Sequence, residues 1–306
     1  MKLHALTARH DNRQAQLTAL SRHKKSVAAL LAACLTLLTA CAGTGDARGS
    51  ALAAEVYQLP VYSFDTMTAE ERFTAEDGTE LAYYSYQLQS MAVENLEKLS
   101  PEDREAAERN AENFNEKMND LLDKSVEIGR QMGANAQTVP GSAGLPYYDV
   151  TVSESVLCGQ IVSVRMDNTS YSGGAHPNSY TNSYLFDLAT GQFIDPIQVA
   201  DDPETFRAGA ADLLVEAAEA REEDLLGYWP DYRGILERWN EGAALFGPEG
   251  LTVVYSPYEL GPYALGAVEL TVPYGELADL LGPGGLERLG LKAETEIGRA
   301  SCRERV

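Results

Sequence analysis

Tyr180-Thr-Asn-Ser-Tyr-Leu-Phe-Asp-Leu-Ala-Thr-Gly-Gln-Phe-Ile194 reads as a strand, a tight turn and a returning strand. Residues 180–187 are strand-like, Ala189-Thr190-Gly191 supplies turn chemistry, and residues 192–194 return, which makes a β-hairpin. Upstream, residues 149–157 and 160–166 show two more strand patterns, and residues 172–179 form a Gly-rich loop. Downstream, Asp201 or Asp202 caps a helix beginning at Pro203, with Phe206, Ala210, Leu213, Leu214 and Ala217 on its apolar face. A shorter helix covers residues 231–239. Gly247-Pro-Glu-Gly250 is a turn, strands follow at 251–255 and 267–272, and a short helix spans 275–281. Strands grouped with interspersed helices predict an α+β fold with a mainly antiparallel sheet and packed helices.

The N-terminal half carries a strand pattern at 81–88 and one long helix. Ser100 is its expected N-cap, Pro101 suits the first helical position, and Glu102 and Asp103 suit the positive end of the helix dipole. Ala107, Phe114, Met118, Leu121, Ser125, Ile128 and Met132 recur at helical spacing, and Gly133 is the expected stop, giving a helix of about 30 residues. Residues 134–146, with Gly141-Ser-Ala-Gly144 and two prolines, read as a linker. The chain therefore divides into an N-terminal helix-containing half, 56–146, and a C-terminal domain, 147–290.

Both ends read as something other than fold. Arg22, Lys24 and Lys25 precede an uncharged run at 27–38 of about a dozen residues, short of the roughly 20 that a membrane span needs. The run reaches Leu38-Thr39-Ala40-Cys41, which resembles the lipobox of bacterial lipoproteins, with Cys41 as the acylated residue. Leu31-Ala32-Ala33-Cys34 fits the same pattern but leaves an apolar run of only seven residues before it. Residues 1–41 are thus expected to be a signal peptide with its lipobox, and 42–55, small and polar, a flexible tether. Residues 296–306, Glu-Ile-Gly-Arg-Ala-Ser-Cys-Arg-Glu-Arg-Val, look like translated sequencing adapter and are set aside from the fold.

Residues 42–295 hold 15 Lys plus Arg against 43 Asp plus Glu, net −28. Such a charge argues against nucleic acid or anionic lipid as a partner, because the phosphate contribution would be repulsive. It favours a cationic partner with a salt-dependent encounter, although acidic surfaces also serve solubility alone. Cys158 is the one cysteine in this region, so it has no disulfide partner there. In its apolar strand setting it reads as a buried, inert thiol.

At Tyr171-Ser-Gly-Gly-Ala-His-Pro177 the sequence resembles the extracellular domain of RsiV, a lysozyme-sensing anti-sigma factor, and the N-terminal region of PdaC-type polysaccharide deacetylases. Ser163-Val164, Leu185-Phe-Asp-Leu-Ala-Thr-Gly191, residues 250–266 and Val272-Pro-Tyr-Gly-Glu-Leu277 carry the rest of the resemblance, over about residues 150–282. It implies a recognition module. The sensors add a cytoplasmic sigma-binding segment and a membrane span, where this chain has a lipobox. The deacetylases add a metal-dependent catalytic domain, and neither part is seen here.

His176 is the sole histidine beyond the signal region, which excludes a two-histidine mechanism or a histidine-rich metal site within one chain. Asp201-Asp202 and Asp167-Asn168 are the candidates for a carboxylate Ca²⁺ site, without EF-hand spacing. No cofactor or metal is implied, and no catalytic constellation emerges. Gly173-Gly174 allows positive φ and Pro177 fixes the loop exit, so Tyr171, Gly173, Gly174, His176 and Asn178 are candidate ligand contacts. The alternative is a turn with one buried hydrogen bond. Tyr255, Tyr258 and Tyr263 supply contact area or cap the core edge; Tyr258 and Tyr263 join the candidate site.

The expectation is a binding module for a cationic protein such as lysozyme, lipid-anchored to the outer face of the cytoplasmic membrane with its domain extracellular. A peptidoglycan- or glycan-binding envelope protein is the second reading and a hydrolase the third. Metabolic acyl labelling checks the anchor: the wild type should incorporate label and Cys41→Ser should not, and equal labelling would refute lipidation at Cys41.

Overall fold

The computed structural model describes residues 57–138, 145–221, 224 and 227–292. The chain divides after Glu55. The signal peptide with Cys41, the tether 42–55, linker residues 139–144 and the adapter-like 296–306 lie outside the described residues.

Six strands form one sheet in sequence order: β1 (Tyr62–Thr74), β2 (Glu80–Val93), β3 (Tyr147–Cys158), β4 (Ile161–Tyr171), β5 (Asn178–Asp187) and β6 (Gln192–Ile194). Every pair is antiparallel except β2 with β3. The exception has a cause. Parallel neighbours need a long crossover, and here helix α1 (Pro101–Thr138) supplies it. The sheet thus joins strands from both sides of residue 146. After β6 come α2 (Pro203–Glu219), the one-turn α3 (Tyr232–Leu236), and a second antiparallel sheet of β7 (Ala243–Phe246), β8 (Gly250–Tyr255) and β9 (Val268–Pro273). Helix α4 (Tyr274–Arg288) follows. The fold is α+β with a mainly antiparallel sheet and one long helix in the N-terminal half, as the hairpin and helix patterns predict.

Two cores sit on opposite faces of the large sheet. Val162, Val164 and Phe186 face α1 and pack with Tyr84, Leu88, Phe114 and Met118. Their strand neighbours Ile161 and Leu185 face the other way, into a core with α2, α4 and the small sheet. Alternation places successive residues on opposite faces, so a strand with both faces covered is apolar throughout. Ser163, 3% exposed, clasps the two sheets. Its Oγ donates to the Phe246 carbonyl (2.9 Å) and accepts from the Phe246 N–H (3.0 Å).

The helix ends follow their capping chemistry. Ser100 Oγ accepts from Asp103 N–H (3.1 Å), and Asp202 Oδ1 accepts from Thr205 N–H (3.2 Å) at the start of α2. Asp201 Oδ2 accepts from Gly284 N–H (3.0 Å), just past a kink in α4 at Gly282, φ 70°. Both aspartates of that candidate cation pair therefore serve as helix caps.

Several expectations are corrected. Gly133 does not stop α1, and residues 134–138 continue it rather than opening a loop. A Cβ at Gly133 would lie 2.4 Å from the Phe73 ring, and one at Gly129 would lie 2.4 Å from Tyr84 Cδ1. These glycines let the helix touch the sheet. Ile128, expected on the buried stripe, is 58% exposed, because the stripe shifts onto Gly129, Gly133 and Ala136. Helix α4 runs beyond residue 281, and β1 and β7 are strands that the pattern did not announce. β1 is a sheet edge rich in exposed polar residues, and β7 has only four residues.

Gly129→Ala tests the close contact. Helix propensity alone favours alanine by about 1 kcal/mol, whereas overpacking costs about 1–3 kcal/mol. The expected outcome is a lower urea midpoint at unchanged m-value; a higher midpoint would mean that Tyr84 yields freely.

Candidate functional site

The β4–β5 loop is built around two glycines in left-handed conformation, Gly173 (φ 94°) and Gly174 (φ 109°). Nothing lies within 4 Å of a Cβ placed on Gly174, so backbone conformation rather than space requires glycine there. Tyr171 is not at the surface: it is 5% exposed, and its hydroxyl donates to the Gly174 carbonyl (3.1 Å). It holds the loop from beneath. Asn178 opens β5 as an exposed residue opposite Ser170.

His176 leaves this loop toward a second one, 256–266, that joins β8 to β9. Its Nδ1 lies 2.9 Å from the Pro177 carbonyl. A carbonyl only accepts, so Nδ1 carries the proton. In the neutral ring Nε2 then accepts from the Tyr258 hydroxyl at 3.1 Å, across 82 residues of sequence. Tyr263 stacks on the imidazole with centroids 3.7 Å apart and planes at 16°, and Tyr258 lies 5.6 Å from Tyr263. Three of the candidate residues thus meet in one aromatic cluster, with both histidine nitrogens engaged.

The second loop is fixed at its base. Thr181 N–H donates to Ser256 Oγ (3.1 Å), which ties it to β5, and Ser256 N–H donates to the Glu259 carboxylate. At its tip Tyr258 has φ 76° and is 53% exposed. Among the described residues it alone combines a positive φ with a side chain. For a bulky residue this conformation costs on the order of 1–3 kcal/mol, and such strain gathers at functional sites.

A row of side chains on the sheet face continues from Tyr171. Register aligns Arg72, Tyr83, Tyr148 and Tyr171 across β1 to β4. The Arg72 guanidinium lies 5.0 Å from the Tyr83 centroid, Tyr83 stacks on Tyr148 at 5.6 Å, and Tyr148 is 5.9 Å from Tyr171. Burial pushes the Tyr148 phenol up, and the neighbouring hydroxyls of Tyr83, Tyr263 and Tyr171 add to the shift. Sequence reasoning missed Tyr83 and Tyr148. The pairs Tyr83-Tyr84 and Tyr147-Tyr148 were the available signal, since one member of each faces away from α1.

The other candidates resolve into structural roles. Asp167 accepts from Arg165 Nε (2.8 Å) and Thr181 Oγ1 (2.6 Å). Asn168 is buried, with its amide donating to Asp149 and Thr151. Tyr255 is 4% exposed and belongs to the core. Burial pushes the Cys158 thiol up, against a lowering contribution from the Tyr274 hydroxyl, which suits an unreactive thiol. Among the described residues no three His, Cys, Asp or Glu side chains converge as a metal cluster, and no helix is long and apolar enough to cross a membrane.

Residues 235–275, which contain β7, β8, β9 and the Tyr258–Tyr263 loop, match DUF3298. It is a family described as a protein of unknown function. A DUF3298-family crystal structure from Bacteroides fragilis is similar to this chain at TM-score 0.53 and 16% identity, covering 75% of this chain and 97% of that one. A DUF3298-family protein from Pseudomonas aeruginosa gives TM-score 0.49 and 15% identity, over 74% and 96%. No curated protein matches the sequence. At the coarse level of this domain family, the findings agree with the resemblance drawn from the sequence.

Tyr258→Asn separates strain from packing, because asparagine tolerates the left-handed region. Its melting temperature should stay within about 2–4 °C of the parent, the shift that about 1 kcal/mol produces in a domain of this size. A far larger drop would show that the ring holds the fold together.

Proposed function

We propose that this chain is a recognition module of the bacterial cell envelope, anchored by lipid at Cys41, that binds a cationic protein such as lysozyme. The contact face is the loop pair carrying His176, Tyr258 and Tyr263. The observation that carries this reading is Tyr258, a large aromatic side chain held exposed in a strained backbone at the centre of a ring cluster. The strained backbone costs the fold stability, whereas an interface uses rigid aromatic anchors. The net charge of −28 over residues 42–295 would steer a basic partner. The resemblance to the lysozyme-sensing ectodomain supports the choice of partner.

Binding rather than catalysis is part of the proposal. His176 spends both ring nitrogens on Pro177 and Tyr258. That arrangement uses the ring to tie two loops together. In this reading the module would sequester or decoy its partner.

The half-buried pair Tyr83 and Tyr148, backed by Tyr171, favours the second reading, a glycan, because phenols both stack and hydrogen-bond.

Calorimetry with a basic lysozyme at two salt concentrations tests the first reading. Affinity should fall but persist as the Debye length shrinks from about 10 Å at 0.1 M to about 3 Å at 1 M. His176→Ala and Tyr258→Ala should each weaken binding about tenfold or more, a loss of about 1.4 kcal/mol. Glu112→Ala, on the exposed side of α1, should change it little. No binding at low salt, together with retention on purified cell wall, would transfer the function to the glycan reading.

A further inference from the structure

Trp229 lies beside the proposed contact face and is not explained by the fold. Its indole Nε1–H donates to the Tyr258 carbonyl (3.1 Å), and its backbone N–H donates to the Leu260 carbonyl (2.9 Å). The two segments approach closely enough that a Cβ on Gly261 would lie 2.5 Å from the Gly227 carbonyl oxygen. The ring nevertheless remains 36% exposed. With its N–H satisfied inside the protein, the indole offers solvent an apolar π surface.

That surface stands next to Tyr258, whose strained backbone carries the same carbonyl that Trp229 grips. An exposed carboxylate follows each ring in the chain, Asp231 two residues after Trp229 and Glu259, which also accepts from Ser256 N–H, directly after Tyr258. Electron-rich ring faces beside carboxylates recognise ammonium and guanidinium groups, and tryptophan does so best among the aromatic residues. The molecule uses the same chemistry internally, with Arg72 over Tyr83 at 5.0 Å and Arg233 over Tyr232 at 5.8 Å. The nearby Arg221 and Arg233 are drawn to Asp224 and Glu219 rather than to Trp229.

We infer that Trp229 and Tyr258 together form a receptor for a basic side chain, lysine or arginine, of the partner protein. The assignment rests on the proposed function for the partner's identity, and on Trp229 itself for the chemistry. Asp231 and Glu259 supply the complementary charge, and the indole face supplies the desolvated contact.

The chain's two tryptophans make the test direct, because Trp239 is fully buried with its Nε1–H on the Arg207 carbonyl. Emission changes on ligand addition therefore report Trp229. A tri-arginine peptide should alter Trp229 emission and protect it from acrylamide quenching, whereas a tri-glutamate peptide should not. Trp229→Ala should weaken basic lysozyme at least tenfold by calorimetry, whereas Trp229→Phe, which loses the same indole hydrogen bond but keeps a ring face, should retain most of the affinity. If lysozyme fails to bind but tri-arginine still protects Trp229, the receptor stands and the choice of partner falls. If lysozyme binds the Trp229→Ala protein as tightly as the parent, the receptor is refuted while the proposed function stands. If neither probe affects Trp229, the receptor is refuted outright.

Discussion

The arrangement of the molecule depends on the clasp between Ser163 and Phe246. A buried strand residue faces a second sheet that lies across it rather than beside it, so main-chain pairing is not available there. The Ser163 hydroxyl replaces it, donating to the Phe246 carbonyl and accepting from its N–H. Both groups would otherwise be buried without partners, each at a cost of about 1–3 kcal/mol. With this clasp in place, the small sheet is seated on β4 and β5. The Arg165–Glu269 pair and the Thr181–Ser256 hydrogen bond extend the same seam. The β4–β5 loop and the β8–β9 loop then emerge together at one end.

The candidate face follows from that seating. His176 finds Tyr258 and Tyr263 because the loops exit side by side, and Trp229 is brought to the edge by hydrogen bonds to the Tyr258 and Leu260 carbonyls. Rigid secondary structure behind the loops matters because aromatic anchors lose little side-chain entropy when they are already held. Helix α1 contributes from the opposite face of the sheet. Gly129 and Gly133 bring it into contact with Tyr84 and Phe73, which fixes β1 and β2 and with them the Arg72–Tyr83–Tyr148 row.

Charge and aromatic chemistry act at different ranges. The acidic surface biases encounter over a Debye length, whereas ring contacts operate only on touching. In the proposed reading, selectivity for a basic partner would reside in the few rings at the loop tips, and the distributed carboxylates would govern the rate of meeting.

The sequence by itself determined the elements whose signals are local. The hairpin at 180–194, the cap at Ser100, a cap at Asp201 or Asp202, the mainly antiparallel α+β class and the loop glycines 173 and 174 all follow from neighbouring residues. Turn and cap chemistry acts over a few positions, so a linear reading captures it. Tertiary structure decided the rest. Gly133 looks like a helix stop until Phe73 is seen against it, and the residues of β1 announce no strand until β2 pairs with them. The meeting of His176 with Tyr258, the exposure of Trp229 and the burial of Tyr171 depend on sheet order, register and the seam at Ser163. These contacts join residues tens of positions apart, and no local propensity encodes them, because they come into being only when two sheets pack.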